Sequence, residues 1–285
     1  MRRFRNPLLV VVALLCAAGM VELRASMEGM FIFPGAATQG RADSIVPPGG
    51  DHEIVALQTR DGTRIVALFG GALDPRGGHT LVAGRRPTVV FFYGNGACLA
   101  SMGDVFEGFR RLGVNVLMPE YPGYGMSGGK PGEKAFYAAA DAAYDYVAQR
   151  PGTDHDRIVA AGWSMGSAVA IDLASRRKVS SLVVVSAFTN MPAVARALVK
   201  WFPTSLIIRS RFDSLAKMPL VGCPVFIAHG TRDELVPPSM SGKLAEAAKT
   251  EVTSYKVVGG GHNDVFGVGG RPLWEAIEGF IFGVK

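Results

Sequence analysis

Histidine and cysteine are scarce in this 285-residue chain, with five of the first and three of the second. No paired cysteines and no His-x-x-x-His spacing occur, so the sequence offers no metal site of ordinary pattern. Cys16 falls in an apolar N-terminal run, which leaves Cys98 and Cys223 in the body of the protein. Cys98 follows one expected strand and Cys223 precedes another. In a parallel sheet that separates them by about 17 Å, beyond disulfide reach, and two free thiols are expected. A dense basic stripe with interleaved aromatics is also missing, so the formal charge of +6 gives no reason to expect nucleic acid as a partner. The one basic concentration sets Arg196, Lys200, Arg209, Arg211 and Lys217 against Asp213. It reads as a solvated face, with an anionic membrane surface as the other partner it could meet.

The uncharged run at residues 8–21 is shorter than the roughly 20 residues a spanning helix needs. Arg2, Arg3 and Arg5 precede it and Glu22 closes it. The expectation for residues 1–25 is a signal peptide or a short membrane anchor, with the bulk of the chain exported or tethered outside the cytoplasm. Residues 26–51, rich in Pro and Gly, read as a linker, and the folded domain is expected over 52–285.

What is present in quantity is β-branched and aromatic residues in short runs. "EIVALQT" and "TRIVALF" flank "RDG" as a hairpin. Then "TVVFFY", "VNVLM", "RIVAAG", "SLVVV", "PVFIAH" and "SYKVV" alternate with helical patterns, the last of them from Leu273 to Phe282. Continuous apolar strands alternating with helices imply an α/β fold: a mostly parallel central sheet with helices on both faces. Its ligand sites belong at the carboxyl ends of the strands. Residues 187–222 add no strand. Within them Met191, Val194, Leu198 and Trp201 recur at helical spacing, with Asn190 and Pro192 suiting a helix start, so a small helical lid is expected.

The pattern Gly-x-Ser-x-Gly around Ser164 sits between "RIVAAG" and a helix beginning at Met165. A strand-to-helix turn of this kind throws the serine hydroxyl out above the sheet and aims a helix N-terminus at a reacting anion. Ser127 repeats the pattern, but the glycines and Pro131 behind it forbid an immediate helix. The same feature removes the dinucleotide reading of "GYGMSG". A serine hydroxyl needs a base. His262 lies in the glycine turn after the last strand, whereas His52, His79 and His155 belong elsewhere and His229, at the end of "PVFIAH", reads as structural. Asp233 follows that strand and is the preferred partner for the imidazole, with Glu234, Asp264 and Asp213 as competitors. Backbone donors for an oxyanion are expected from Met165 and from the "YGNGA" loop, at Asn95 or at Gly96.

Together "YGNGA", "EYPGYGMSGGKP", "GWSMG", "HGTRDELVP" and "GHND" resemble, in order, the motifs of the α/β-hydrolase superfamily. They are most similar to a branch of membrane-anchored serine hydrolases that includes the eukaryotic protein depalmitoylases and bacterial relatives. The resemblance runs from about Phe31 to the end and implies Ser164 as nucleophile, Asp233 and His262 as its partners, the Asn95 loop as oxyanion donor, and no cofactor. Relatives usually carry histidine where this chain has Tyr93.

The expected function is cleavage of an ester or thioester, carboxylesterase or acyl thioesterase in type, through an acyl-serine intermediate. Phe188, Leu198, Trp201, Phe202 and Leu206 would receive a small-molecule or lipid-derived acyl group. An aminopeptidase-like hydrolase and a catalytically silent membrane-associated binding protein are the alternatives.

Overall fold

The computed structural model describes residues 28–74, 80–199, 204 and 208–283. The expected leader over 1–25 lies outside the described residues, as do Trp201, Phe202 and Leu206. Among the described residues no helix is long and apolar enough to cross a membrane.

Eight strands form one sheet. They are β1 (His52–Gln58), β2 (Arg64–Gly70), β3 (Arg86–Phe92), β4 (Asn115–Pro119), β5 (Thr153–Trp163), β6 (Ser181–Val185), β7 (Val225–Gly230) and β8 (Val252–Val257). Their spatial order is β1-β2-β4-β3-β5-β6-β7-β8, with β1 and β2 antiparallel at one edge and β4 through β8 parallel. Successive residues of a strand point to opposite faces, yet Pro87–Phe92 and all of β6 and β7 are buried. Both faces of the central strands are therefore covered, which is why their sequences run apolar without alternation.

The helices that follow the strands are α1 (Gly103–Arg110), α2 (Glu133–Val147), α3 (Met165–Arg176), α4 (Met191–Leu198), α5 (Ser214–Lys217), α6 (Ser239–Ala247) and α7 (Val265–Phe282). Helix α3 is buried at every position from Met165 to Ala174. Its small residues Gly166, Ser167, Ala168 and Ala170 let it lie against the sheet with no room to spare. A Cβ on Gly166 would stand 1.9 Å from the carbonyl oxygen of Phe92, and one on Gly162 would stand 2.1 Å from that of Gly166. In the 187–222 segment, Asn190 caps α4 by accepting from Ala193 N at 2.9 Å, and Pro192 occupies the first turn.

Two expectations are corrected. The closing helix starts at Val265, not Leu273, because an extra helical turn precedes the break at Gly270, whose φ of 48° only glycine adopts cheaply. Residues 28–46, read as part of a linker, pack against the domain: Ile32, Phe33, Ser44 and Val46 are buried. Their short 3-10 turns at Pro34–Thr38 and Ala42–Ser44 have no helical or strand periodicity to betray them. Cys98 and Cys223 are free thiols, and both are buried.

Replacing Gly166 by Ala inserts a methyl group where β3 and α3 touch through backbone. The expected loss is ~3 kcal/mol or more, read as a lower urea midpoint with an unchanged m-value.

Candidate active site

The carboxyl end of β5 and the start of α3 meet at Ser164. Its backbone lies at φ 56°, ψ −121°, a region that non-glycine residues seldom enter. Three hydrogen bonds hold it there: Ser164 N to Val185 O at 2.9 Å, Ser167 N to Ser164 O at 3.0 Å, and Ser167 Oγ to Ser164 O at 2.5 Å. The turn leaves the Ser164 side chain at the wall of a cavity of about 420 Å³.

Asp233 follows β7 and His262 follows β8, so parallel pairing of these neighbouring strands delivers both to the same edge. The Ser164 hydroxyl donates to His262 Nε2 at 2.7 Å, and His262 Nδ1 lies 2.7 Å from Asp233 Oδ2. An ionised carboxylate only accepts, so Nδ1 carries the ring proton and Nε2 presents its lone pair to the serine. All three groups are buried. The loop carrying His262 is tied down at both ends, since Trp163 Nε1 donates to His262 O at 3.1 Å and Gly261 N donates to Asp264 Oδ1 at 2.6 Å.

The competing acids have other employment. Asp264 shapes the histidine loop, Asp213 caps α5 by accepting from Ala216 N, and Glu234 is exposed.

His229 is the residue that sequence reasoning undervalued. It packs within the cluster: Nε2 lies 3.1 Å from Asp233 Oδ2 and 2.9 Å from Val236 O, while Nδ1 faces the Ser241 hydroxyl at 2.6 Å. Both neighbours of Nε2 are acceptors, so that nitrogen carries the proton. Asp233 consequently receives four donors, His262 and His229 on Oδ2, and the amides of Leu235 and Val236 on Oδ1. Burial opposes ionisation here, but hydrogen bonds from His229, His262 and Val236 outweigh it and hold the carboxyl well below the usual carboxylate range. The order in which "PVFIAH" ends on histidine and reaches Asp233 four residues later was the available signal.

Met165, at the N-terminus of α3, and Asn95, in the loop after β3, line the same cavity as Ser164. Neither backbone amide donates to another described residue. The Asn95 loop is held by its carbonyls instead: Tyr121 Oη donates to Tyr93 O at 2.9 Å, Ala97 N to Gly94 O at 3.3 Å, and Tyr124 Oη and Gly35 N to Asn95 O, each at 2.9 Å. Beneath it Tyr93 donates to the buried Glu120 at 2.5 Å. Leu99 N and Met126 N also bond that carboxylate. Burial raises the Glu120 carboxyl above its ordinary value against these donors.

The cavity is mainly apolar. Phe188 and Leu198 line it, and Phe31, Ile32 and Ile208 join them. Among the described residues no cluster of His, Cys, Asp and Glu could hold a metal.

A depressed Asp233 pKa stabilises the fold above the carboxyl's unfolded value near 4 and loses that contribution as pH falls through the lower folded value. Between pH 7 and pH 2, Asp233→Asn should therefore lose less unfolding free energy than wild type in urea titrations. Equal slopes of stability against pH would contradict the hydrogen-bond account of that shift.

Comparison with known proteins agrees with this architecture. A family described as alpha/beta hydrolase fold matches residues 87–207. An uncharacterized protein of Mycobacterium tuberculosis is 32% identical over 276 residues, covering 96% of this chain and 94% of its own length. The alpha/beta hydrolase domain-containing protein aho-3 of Caenorhabditis elegans is 36% identical over 181 residues, 62% of this chain and 53% of the worm protein. Among solved structures, an esterase of Pyrococcus furiosus superposes with a TM-score of 0.67 at 21% identity, over 84% of this chain and 97% of the esterase, a likeness of fold. The strand order, the turn at Ser164 and these relatives agree that the chain belongs to the alpha/beta hydrolase family.

Proposed function

We propose that the protein is a serine hydrolase that cleaves an ester or thioester bearing an apolar acyl group. The observation that carries this reading is the unbroken chain of 2.7 Å contacts from Ser164 Oγ through the His262 ring to Asp233, opening on an apolar cavity.

In this reaction Ser164 Oγ attacks the carbonyl carbon as its proton passes to His262 Nε2. Charge gathers on the carbonyl oxygen, which the amides of Met165 and Asn95 receive together with the N-terminus of α3. Collapse breaks the bond to the leaving alcohol or thiol, which takes the proton from His262 and leaves an acyl group on Ser164. Water then gives a proton to His262 and attacks the acyl carbon, releasing the acid and restoring the serine hydroxyl. Asp233 keeps its negative charge throughout. It fixes the ring tautomer and balances the imidazolium at each step.

The cavity accounts for the acyl preference. Each methylene moved from water into an apolar site contributes ~0.8 kcal/mol, about a fourfold gain per carbon. An exported or membrane-tethered location is part of the proposal, supported by the three arginines and the apolar run of residues 2–21.

Wild type should react covalently with a fluorophosphonate probe, and Ser164→Ala should not. On p-nitrophenyl esters Ser164→Ala is expected to lose about 10⁶ in kcat and Asp233→Asn about 10⁴. Across the ester series kcat/KM should climb with acyl length until the cavity is full. Unreactive wild type would point to the silent binding protein, and release of N-terminal residues from peptides without ester turnover to an aminopeptidase.

A further inference from the structure

The segment before the sheet does more than connect. Within residues 28–40, Glu28, Phe31 and Ile32 line the cavity, and the segment lies outside the matched family region that begins at residue 87. At one end the Glu28 carboxylate accepts from the backbone amides of Arg209 and Ser210, beyond α4. In the middle Phe31 and Ile32 form part of the cavity lining. Phe33 turns inward and meets Phe136 at 5.4 Å and Phe212 at 6.2 Å, edge to face in both cases. Phe136 in turn stacks on Tyr121 at 3.9 Å and meets Tyr124 at 5.5 Å.

The next contacts reach the loop that carries the proposed oxyanion donor. Gly35 N donates to Asn95 O at 2.9 Å, and Asn95 Nδ2 donates back to Ile32 O at 3.0 Å. Farther on, Gly125 N donates to Thr38 Oγ1 at 3.0 Å and Gly40 N to Gly125 O at 2.9 Å. Gly35 is required for this closeness. A Cβ there would stand 2.2 Å from Tyr124 Cε2 and 2.7 Å from Asn95 O.

We infer that residues 28–40 are a working part of the site: through Gly35 and Ile32 they hold the Asn95 peptide in register for the oxyanion, and through Phe31 and Ile32 they form the wall that selects the acyl group. The physical reason lies in where the carbonyls point. Asn95 O, held by Gly35 N and Tyr124 Oη, belongs to the peptide plane after the Asn95 Cα, and Gly94 O, held by Ala97 N, belongs to the plane before it, so fixing both planes fixes the direction of the Asn95 amide between them. Gly35, Ile32 and Tyr124 are positioning residues in this scheme, and Phe31 is a specificity residue.

This inference rests on the serine hydrolase reading and is tested on the full-length chain. Five proteins are compared on p-nitrophenyl esters from acetate to dodecanoate: wild type, Gly35→Ala, Tyr124→Phe, the double variant of these two, and Phe31→Ala. Gly35→Ala should lower kcat by about tenfold to a hundredfold at every chain length, with KM for the acetate ester changed less than about twofold. Tyr124→Phe, which keeps the ring and removes one donor to Asn95 O, should show the same kcat signature more weakly. Because both act through one carbonyl, the double variant should lose less than the product of the single losses. Phe31→Ala, at an exposed side chain that does not endanger folding, should cut the dodecanoate-to-acetate ratio of kcat/KM by about fivefold. Wild-type kcat in folded Gly35→Ala together with a wild-type ratio in Phe31→Ala would overturn the inference. Should Gly35→Ala fail to fold, the Phe31→Ala ratio alone decides. Failure of the hydrolase reading is seen separately, as absence of probe labelling at Ser164 in wild type, and the inference then falls with it.

Discussion

The contact on which the site depends is the approach of α3 to the end of β3, where the Gly166 backbone sits so near Phe92 O that no side chain could intervene. That approach sets the start of α3 beside the loop leaving β3. One helix N-terminus and one loop thereby bring Met165 and Asn95 to the same cavity as Ser164. The cost appears at Ser164 itself, whose φ of 56° carries about 1–3 kcal/mol of backbone strain. Val185 O and the two bonds from Ser167 offset it locally, and a helix buried over its first ten residues offsets it globally.

Around this contact, polar groups are satisfied with little slack. Asp233 has a donor for each of its four accepting positions, and two of them are imidazoles. A buried carboxylate so saturated cannot rotate, so the His262 ring it holds keeps one tautomer and one orientation. Tyr93 and Glu120 do for the Asn95 loop what His229 does for Asp233. They place a short, buried hydrogen bond under a segment whose own polar groups must point elsewhere. Glu120 is a partner that can accept from the Tyr93 phenol.

What the sequence made legible followed from local rules with sharp physical content. Glycines at 162 and 166 marked a turn too tight for side chains. Short apolar strands marked a doubly covered sheet, and a parallel sheet put the loops after β7 and β8 on the serine's side, which singled out Asp233 and His262. Less was visible where the physics is non-local. "PGAATQG" reads as linker because 3-10 turns leave no periodic trace, and nothing in it announces that Gly35 touches Asn95. His229 was set aside as structural because a residue's position on a strand does not say which way its ring turns. Glu120 and Tyr93 are 27 residues apart and meet only once β3 and β4 pair. Val265 seemed to lie outside a helix because Gly267, Gly269, Gly270 and Pro272 mask a pattern that tertiary packing restores.

The central claim is that Ser164 Oγ carries the acyl group between the two halves of the reaction. Rapid quenching of the enzyme with a slow ester substrate, followed by mass spectrometry of proteolytic fragments, tests it directly. The expected result is a fragment containing Ser164 heavier by one acyl group less one proton, accumulating in a burst and vanishing as substrate is exhausted. Ester turnover with no such fragment, or with the acyl group on another residue, would contradict it.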